Sequence, residues 1–176
     1  MSEEQAAAGT AEGQGPVRVP EDLADRLESK REDLFEKFGI EDAFPPEVME
    51  EAKVRTEDVQ AEIQEEIDGR KDLRELTTWT TDPVDAQDFD DAISVEERDD
   101  EYVLWVHIAD VTHYVTPDTA MWESAVSRAN TVYLPGYTVH MLPPMLAESV
   151  CSLVPEEDRL AHTVEMHLDK ETLSFD

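Results

Sequence analysis

The hydrophobic period of the chain changes at Leu76, and this switch limits the fold more than any other feature. Before it, apolar residues recur three and four apart. Pro20, Glu21 and Asp22 form a helix start, Leu23, Leu27, Leu34 and Phe38 share one face behind them, and Gly39 stops the run. Phe44-Pro45-Pro46 punctuates the chain, and residues 47–53 suit a short helix. Thr56 is placed to cap a further segment carrying Val59, Ile63 and Ile67, closed by Gly69. After Leu76, β-branched and aromatic runs take over at residues 77–81, around Ile93 and Val95, and across 102–108, with a hairpin predicted at 97–101. Asp118 or Thr119 can cap a helix running to Arg128. Strand-like pieces follow at 131–134 and 163–168, and a turn at 170–172 leads toward another strand at 173–176. The pattern specifies a mixture of helix and strand, with the first third helical.

A chain of 176 residues holds one domain with a real core. Residues 1–18 carry almost no large apolar group, so they read as a disordered tail. An amphipathic helix over 19–43 and one folded unit over 44–176 complete the expected plan. No apolar run approaches the roughly 18 residues of a membrane span, and the start of the chain lacks a secretory pattern. Cys151 is the single cysteine, which excludes an internal disulfide and fits a reducing cytoplasm. It reads as a small buried packing residue. Neither a membrane nor a dinucleotide cofactor is expected. The formal net charge is −30, from 44 acidic and 14 basic residues. Such self-repulsion is screened only when the Debye length shrinks, to about 3 Å at 1 M salt. Because the acids run through the whole chain, the expected setting is the concentrated salt of a halophilic host.

The segment from Thr81 to Asp91 carries Asp82, Asp85, Asp88, Asp90 and Asp91 between two predicted strands. Density alone is weak evidence, since 44 of 176 residues are acidic. The type and setting say more: no glutamate lies between Thr80 and Val95. Carboxylates gathered closely raise each other's pKa unless a cation compensates, and Mg²⁺ takes oxygen ligands while retaining water. A metal site that opens toward a phosphodiester is one reading, and a solvated acidic loop is the other. An EF-hand is excluded, because a loop starting at Asp88 puts Ala92 and Ile93 where a ligand and a glycine are needed. Neighbouring Asp90 and Asp91 can share a site only if the chain kinks there, so an irregular turn with Pro83 is predicted.

The stretch TTDPVDAQDFDDAIS, followed by VHIADVTHYV, SRANTVYLPG, MLPPMLAESVCSL and RLAHTVEMHL, resembles the RNB catalytic domain of the ribonuclease II and ribonuclease R family. FPPEVMEEA and RKDLR resemble that family's entry into the domain, so the likeness covers roughly residues 44–176. It implies an α+β fold with a largely antiparallel sheet flanked by helices, of which this chain is the N-terminal half. It also implies a 3′-to-5′ exoribonuclease that releases nucleoside 5′-monophosphates from single-stranded RNA with Mg²⁺. Asp82, Asp88, Asp90 and Asp91 match the four active-site aspartates in order and spacing. By resemblance Asp82, Asp91 and Asp88 hold the ion, and Asp90 positions a second ion or the attacking water. Tyr133 matches the aromatic that stacks on 3′-terminal bases, with strand packing as its ordinary alternative. Arg128 and Arg74, with Arg70 and Lys71, are the candidate phosphate contacts, pairing with acids being the alternative. His107 reads as a satisfied core residue, and Trp79, Trp105 and Trp122 read as core. The remaining half of the catalytic domain is expected in the parent protein. A non-catalytic RNA-binding or regulatory relative and an acidic interaction module are the competing readings.

Overall fold

The computed structural model describes residues 21–57, 59–84 and 86–175. The expected tail over 1–18, the helix-start Pro20, and Asp85 and Asp176 lie outside the described residues. In chain order the elements are α1 (Glu21–Phe38), α2 (Pro46–Thr56), α3 (Val59–Glu66) with a 3₁₀ turn (Ile67–Gly69), β1 (Thr78–Trp79), β2 (Asp91–Glu97), β3 (Glu101–Ala109), α4 (Val111–Tyr114), α5 (Ala120–Arg128), β4 (Val132–Leu134), β5 (Tyr137–Val139), a π turn (Leu146–Val150) and β6 (Ala161–Asp169). The chain divides into two units between Ile40 and Glu41.

The first unit contains α1, which ends as predicted at Gly39. That residue takes φ +63, and the Ile40 amide closes the last turn on the Phe35 carbonyl at 3.0 Å.

The second unit is built on a four-stranded antiparallel sheet in the order β1-β2-β3-β6. The β2–β3 hairpin turns where the sequence places it, with the Arg98 amide donating to the Glu101 carbonyl at 2.9 Å. Alternation explains the near-continuous apolar run of β3: Val103, Trp105, His107 and Ala109 are buried on one face, beside Ala92 and Ser94 of β2. His107 is a satisfied core residue, as expected. Its Nε2 lies 3.0 Å from Ser94 Oγ and its Nδ1 2.9 Å from Thr163 Oγ1. A second apolar cluster gathers Val48, Ala52, Ile63, Tyr114, Met121 and Leu146 among the helices. Cys151 joins it, and burial pushes its thiol up to about 12.

Several expectations need correcting. β1 pairs only Thr78 and Trp79 with β2, because the chain then departs toward Pro83. Thr56 still belongs to α2, so its hydroxyl donates back to the Lys53 carbonyl at 3.0 Å and caps nothing ahead. Of the three tryptophans only Trp105 is core; Trp79 and Trp122 are exposed. The strand expected after 172 shrinks to one isolated bridge between Leu168 and Phe175, because the Asp169 carboxylate collects the Glu171 and Thr172 amides into a tight turn. Thr119 does cap α5, accepting from the Trp122 amide at 3.1 Å.

The ends of the sheet are tied by Asp110, whose side chain is almost wholly buried. It meets Arg70 Nη2 at 2.8 Å and His162 Nε2 at 3.0 Å, and it accepts from the Thr112 hydroxyl and the His113 amide. Burial by itself pushes this carboxyl up. The hydrogen bonds from Arg70 and Thr112, together with the charges of His162 and Arg70, outweigh burial and hold it below the usual aspartate range. A carboxylate with a depressed folded pKa contributes stability above its unfolded pKa and loses it as pH falls through the folded value. Asp110→Asn is therefore expected to cost about 2 kcal/mol of unfolding free energy at pH 7. In urea melts this difference should vanish when pH falls below the depressed Asp110 value.

Candidate functional site

The aspartates lie on the connection that leaves β1 and enters β2 at Asp91. Pro83 starts an irregular turn, as predicted, closed by the Ala86 amide on the Pro83 carbonyl at 3.0 Å. The backbone beyond is held from a distant part of the chain. The fully buried Ser152 hydroxyl accepts from the Phe89 amide at 3.0 Å and donates to the Gln87 carbonyl at 2.8 Å, so one side chain bridges both neighbours of Asp88. The Leu153 amide donates to the Phe89 carbonyl at 2.9 Å, and the Ala109 amide to the Asp90 carbonyl at 3.0 Å. Asp91 is already in the sheet, opposite Ile108. Four backbone groups between Gln87 and Asp90 are thus hydrogen-bonded to other parts of the chain. Ser152 has no role in the reading from sequence alone; its only signal is its place in the stretch MLPPMLAESVCSL.

The four matched aspartates share one electrostatic neighbourhood. Asp90 keeps open surface, yet the protein packed around it raises its carboxyl above the ordinary range, and the charges of Asp88, Asp91 and Asp82 raise it further. Mutual repulsion of this kind is what the sequence pattern predicts. Convergence of ligand atoms is a stricter condition, and here expectation and structure part. Among the described residues, no three carboxylate, imidazole or thiol groups stand so that they could hold a metal ion. As arranged, the carboxylates do not fit an ion between them.

The side chain of Asp88 is engaged otherwise. Tyr133 on β4 donates its hydroxyl to Asp88 Oδ2 at 2.9 Å. The ring is 66% exposed, so it is not buried in strand packing. Partial burial, the hydrogen bond to Asp88 and the charges of Asp88 and Asp90 push the phenol up to about 12.

The two candidate arginines do not join this group. Arg74 is bound by Asp72 at 2.6 Å and Asp158 at 3.0 Å. Arg128 donates to the Ala43 carbonyl at 2.7 Å and the His140 carbonyl at 3.3 Å, and its guanidinium lies 3.9 Å from the Phe44 ring centre. Arg70 and Lys71 pair with Asp110 and Glu165. A cavity of about 800 Å³ beneath the 70–80 segment is lined by Arg70, Arg74, Trp79, Phe89, Trp105 and His107 among others, and by none of the four aspartates.

Comparison with known proteins places these features in a family. The family described as the RNB domain matches residues 70–175. Ribonuclease R of Chlamydia muridarum is 43% identical over 136 residues, 77% of this chain and 19% of its own length. That of Thermotoga maritima is 45% identical over 130 residues, 73% of this chain and 18% of its own. The chain thus spans about a fifth of the length of the curated relatives it matches. Among solved structures, Mycoplasma genitalium RNase R in complex with ribose methylated single-stranded RNA superposes with a TM-score of 0.74 at 31% identity, covering 82% of this chain and 22% of that one.

The raised Asp90 carboxyl fixes the sign of a stability effect. A folded pKa above the unfolded one penalises the fold at higher pH, and the penalty disappears as pH falls through that folded value. In low salt without divalent cations, Asp90→Asn is expected to melt above the wild type at pH 7. The gap should shrink on acidification and on adding KCl, as followed by circular dichroism.

Proposed function

We propose, from the premise that this chain belongs to the RNB domain family, that it is the aspartate-bearing part of a 3′-to-5′ exoribonuclease acting on single-stranded RNA. The observation that carries the reading is that Asp82, Asp88, Asp90 and Asp91 lie inside the family match, on the connection into β2 and at its first residue, with the backbone flanking Asp88 pinned by the buried Ser152. The reaction is hydrolysis: water adds to the terminal phosphorus, the bond to the preceding 3′ oxygen breaks, and a nucleoside 5′-monophosphate leaves. Asp90 is the proposed positioning group for the attacking water. Its crowded surroundings favour proton binding, which suits a group that handles a proton. Mg²⁺ is the ion the family resemblance implies. Because three carboxylates do not meet around a common point among the described residues, no step of this proposal passes through it.

The exposed Tyr133 ring is the proposed platform for a base near the 3′ end. Stacking of this kind is worth about 1–3 kcal/mol per base and survives salt better than phosphate pairing. That matters in a protein with 14 basic residues against 44 acidic ones, whose proposed setting is a salt-rich cytoplasm. No helix among the described residues is long and apolar enough to cross a membrane. The remaining part of the catalytic domain belongs to the proposed parent enzyme.

The test uses the full-length protein and 3′-labelled single-stranded RNA. Labelled nucleoside monophosphate is expected from the first turnover, and Asp90→Asn is expected to slow release by about 100-fold or more with the fold intact. Absence of mononucleotide release, or the same rate in the variant, would contradict the reading.

A further inference from the structure

β6 is one edge of the sheet, and among the described residues no further strand lies beyond it. The ends of its ladder with β3 show which backbone groups are spent. The Asp110 amide donates to the Leu160 carbonyl at 2.9 Å, and the Lys170 amide to the Asp100 carbonyl at 3.0 Å. Backbone groups of successive antiparallel residues point to opposite edges. Even-numbered residues of β6 therefore bond to β3, while Ala161, Thr163, Glu165 and His167 turn their N–H and C=O groups outward. Asp169 has the same sense, and its amide finds a partner on that side, the Ser174 carbonyl at 3.0 Å. Leu168 then bridges Phe175 in antiparallel sense, so the turn between them starts a new strand along this edge in a definite register.

The side chains beside this edge are open too. The register aligns Trp79, Ile93, Val106 and Val164 in one row across the sheet, with Trp79 and Val164 exposed, and the exposed Phe175 stands on the same face opposite Leu168. That row carries no acid, in a chain with 44 acidic residues among 176. A long edge with free donors and acceptors beside exposed apolar side chains is a template for another strand. A second copy of this chain is a poor occupant, because it brings a further net charge of −30. The relatives, in contrast, extend well beyond the matched part, which is 19% of the length of the Chlamydia muridarum protein. We infer that the outer edge of β6 is the seam at which an extended strand from the remaining part of the parent enzyme docks, antiparallel to β6 in the register that Leu168 and Phe175 begin. The inference rests on the reading of this chain as part of a longer exoribonuclease. Residues of the docked strand opposite Thr163, Glu165 and His167 exchange backbone hydrogen bonds, and those opposite Val164 and Met166 are apolar and cover the exposed row.

The experiment compares amide hydrogen exchange in the 176-residue chain and in the full-length protein at one KCl concentration. In the 176-residue chain the Thr163, Glu165 and His167 amides are expected to exchange rapidly, while the Val164 and Met166 amides, bonded to β3, are protected. In the full-length protein the first three should slow by about 100-fold or more. Equal exchange of these amides in the two proteins overturns the seam. Protection in the 176-residue chain that grows with its concentration assigns the edge to a second copy and also overturns it. A variant gives a second reading: Val164→Lys is expected to shift the melting temperature of the 176-residue chain by no more than about 2 °C and to lower that of the full-length protein by about 5 °C or more. Equal shifts in both count against the seam. Release of nucleoside monophosphate is measured separately on the full-length protein. Slowed amides without release leave the seam standing and sink the exoribonuclease reading, and release without slowed amides does the reverse.

Discussion

One buried hydroxyl group holds the acidic loop where it is. Ser152 receives the Phe89 amide and gives its own proton to the Gln87 carbonyl, so the chain cannot swing Asp88 outward without exposing two unsatisfied polar groups. Repulsion among Asp82, Asp88, Asp90 and Asp91 pushes the other way. The loop stays compact because its backbone bonds, supplied by Ser152, Leu153 and Ala109, do not depend on the state of the carboxylates. The sheet sets their positions in turn: Ala109 ends β3, and the 150s lead directly into β6, which pairs with β3 along its whole length.

Much of this architecture was legible from local chemistry. Gly39 stops α1, Thr119 starts α5 and the polar turn at 98–100 joins β2 to β3, each through a residue type whose backbone preference needs no tertiary help. The elements that escaped are short. α4 has four residues and β5 has three, too few for a hydrophobic period to register, and the π turn at Leu146–Val150 has no propensity signature of its own. Trp79 and Trp122 were misplaced because apolar bulk reports what a side chain favours, while exposure depends on what else packs there.

At the site the division is sharper. The aspartates could be picked out by order and spacing, and they lie inside the family match across 70–175. Their exact partners could not. Ser152 lies 63 residues from Phe89, and Tyr133 lies 45 residues from Asp88; both bonds exist only once the sheet is assembled. The same holds for Asp110, which caps α4 and is also a buried anchor for Arg70 and His162. Arg74 and Arg128 show the converse: in so acidic a chain, a guanidinium finds carboxylates, carbonyls or an aromatic face nearby before any ligand arrives.

Whether the loop is held by its backbone can be measured directly by amide hydrogen exchange, read residue by residue in low salt where carboxylate repulsion is greatest. If the Ser152 clamp governs the site, the Phe89, Leu153 and Ala109 amides exchange as slowly as the paired amides of β2 and β3. Exchange of the Phe89 and Leu153 amides at the rate of an open loop, with β2 and β3 still protected, would contradict it.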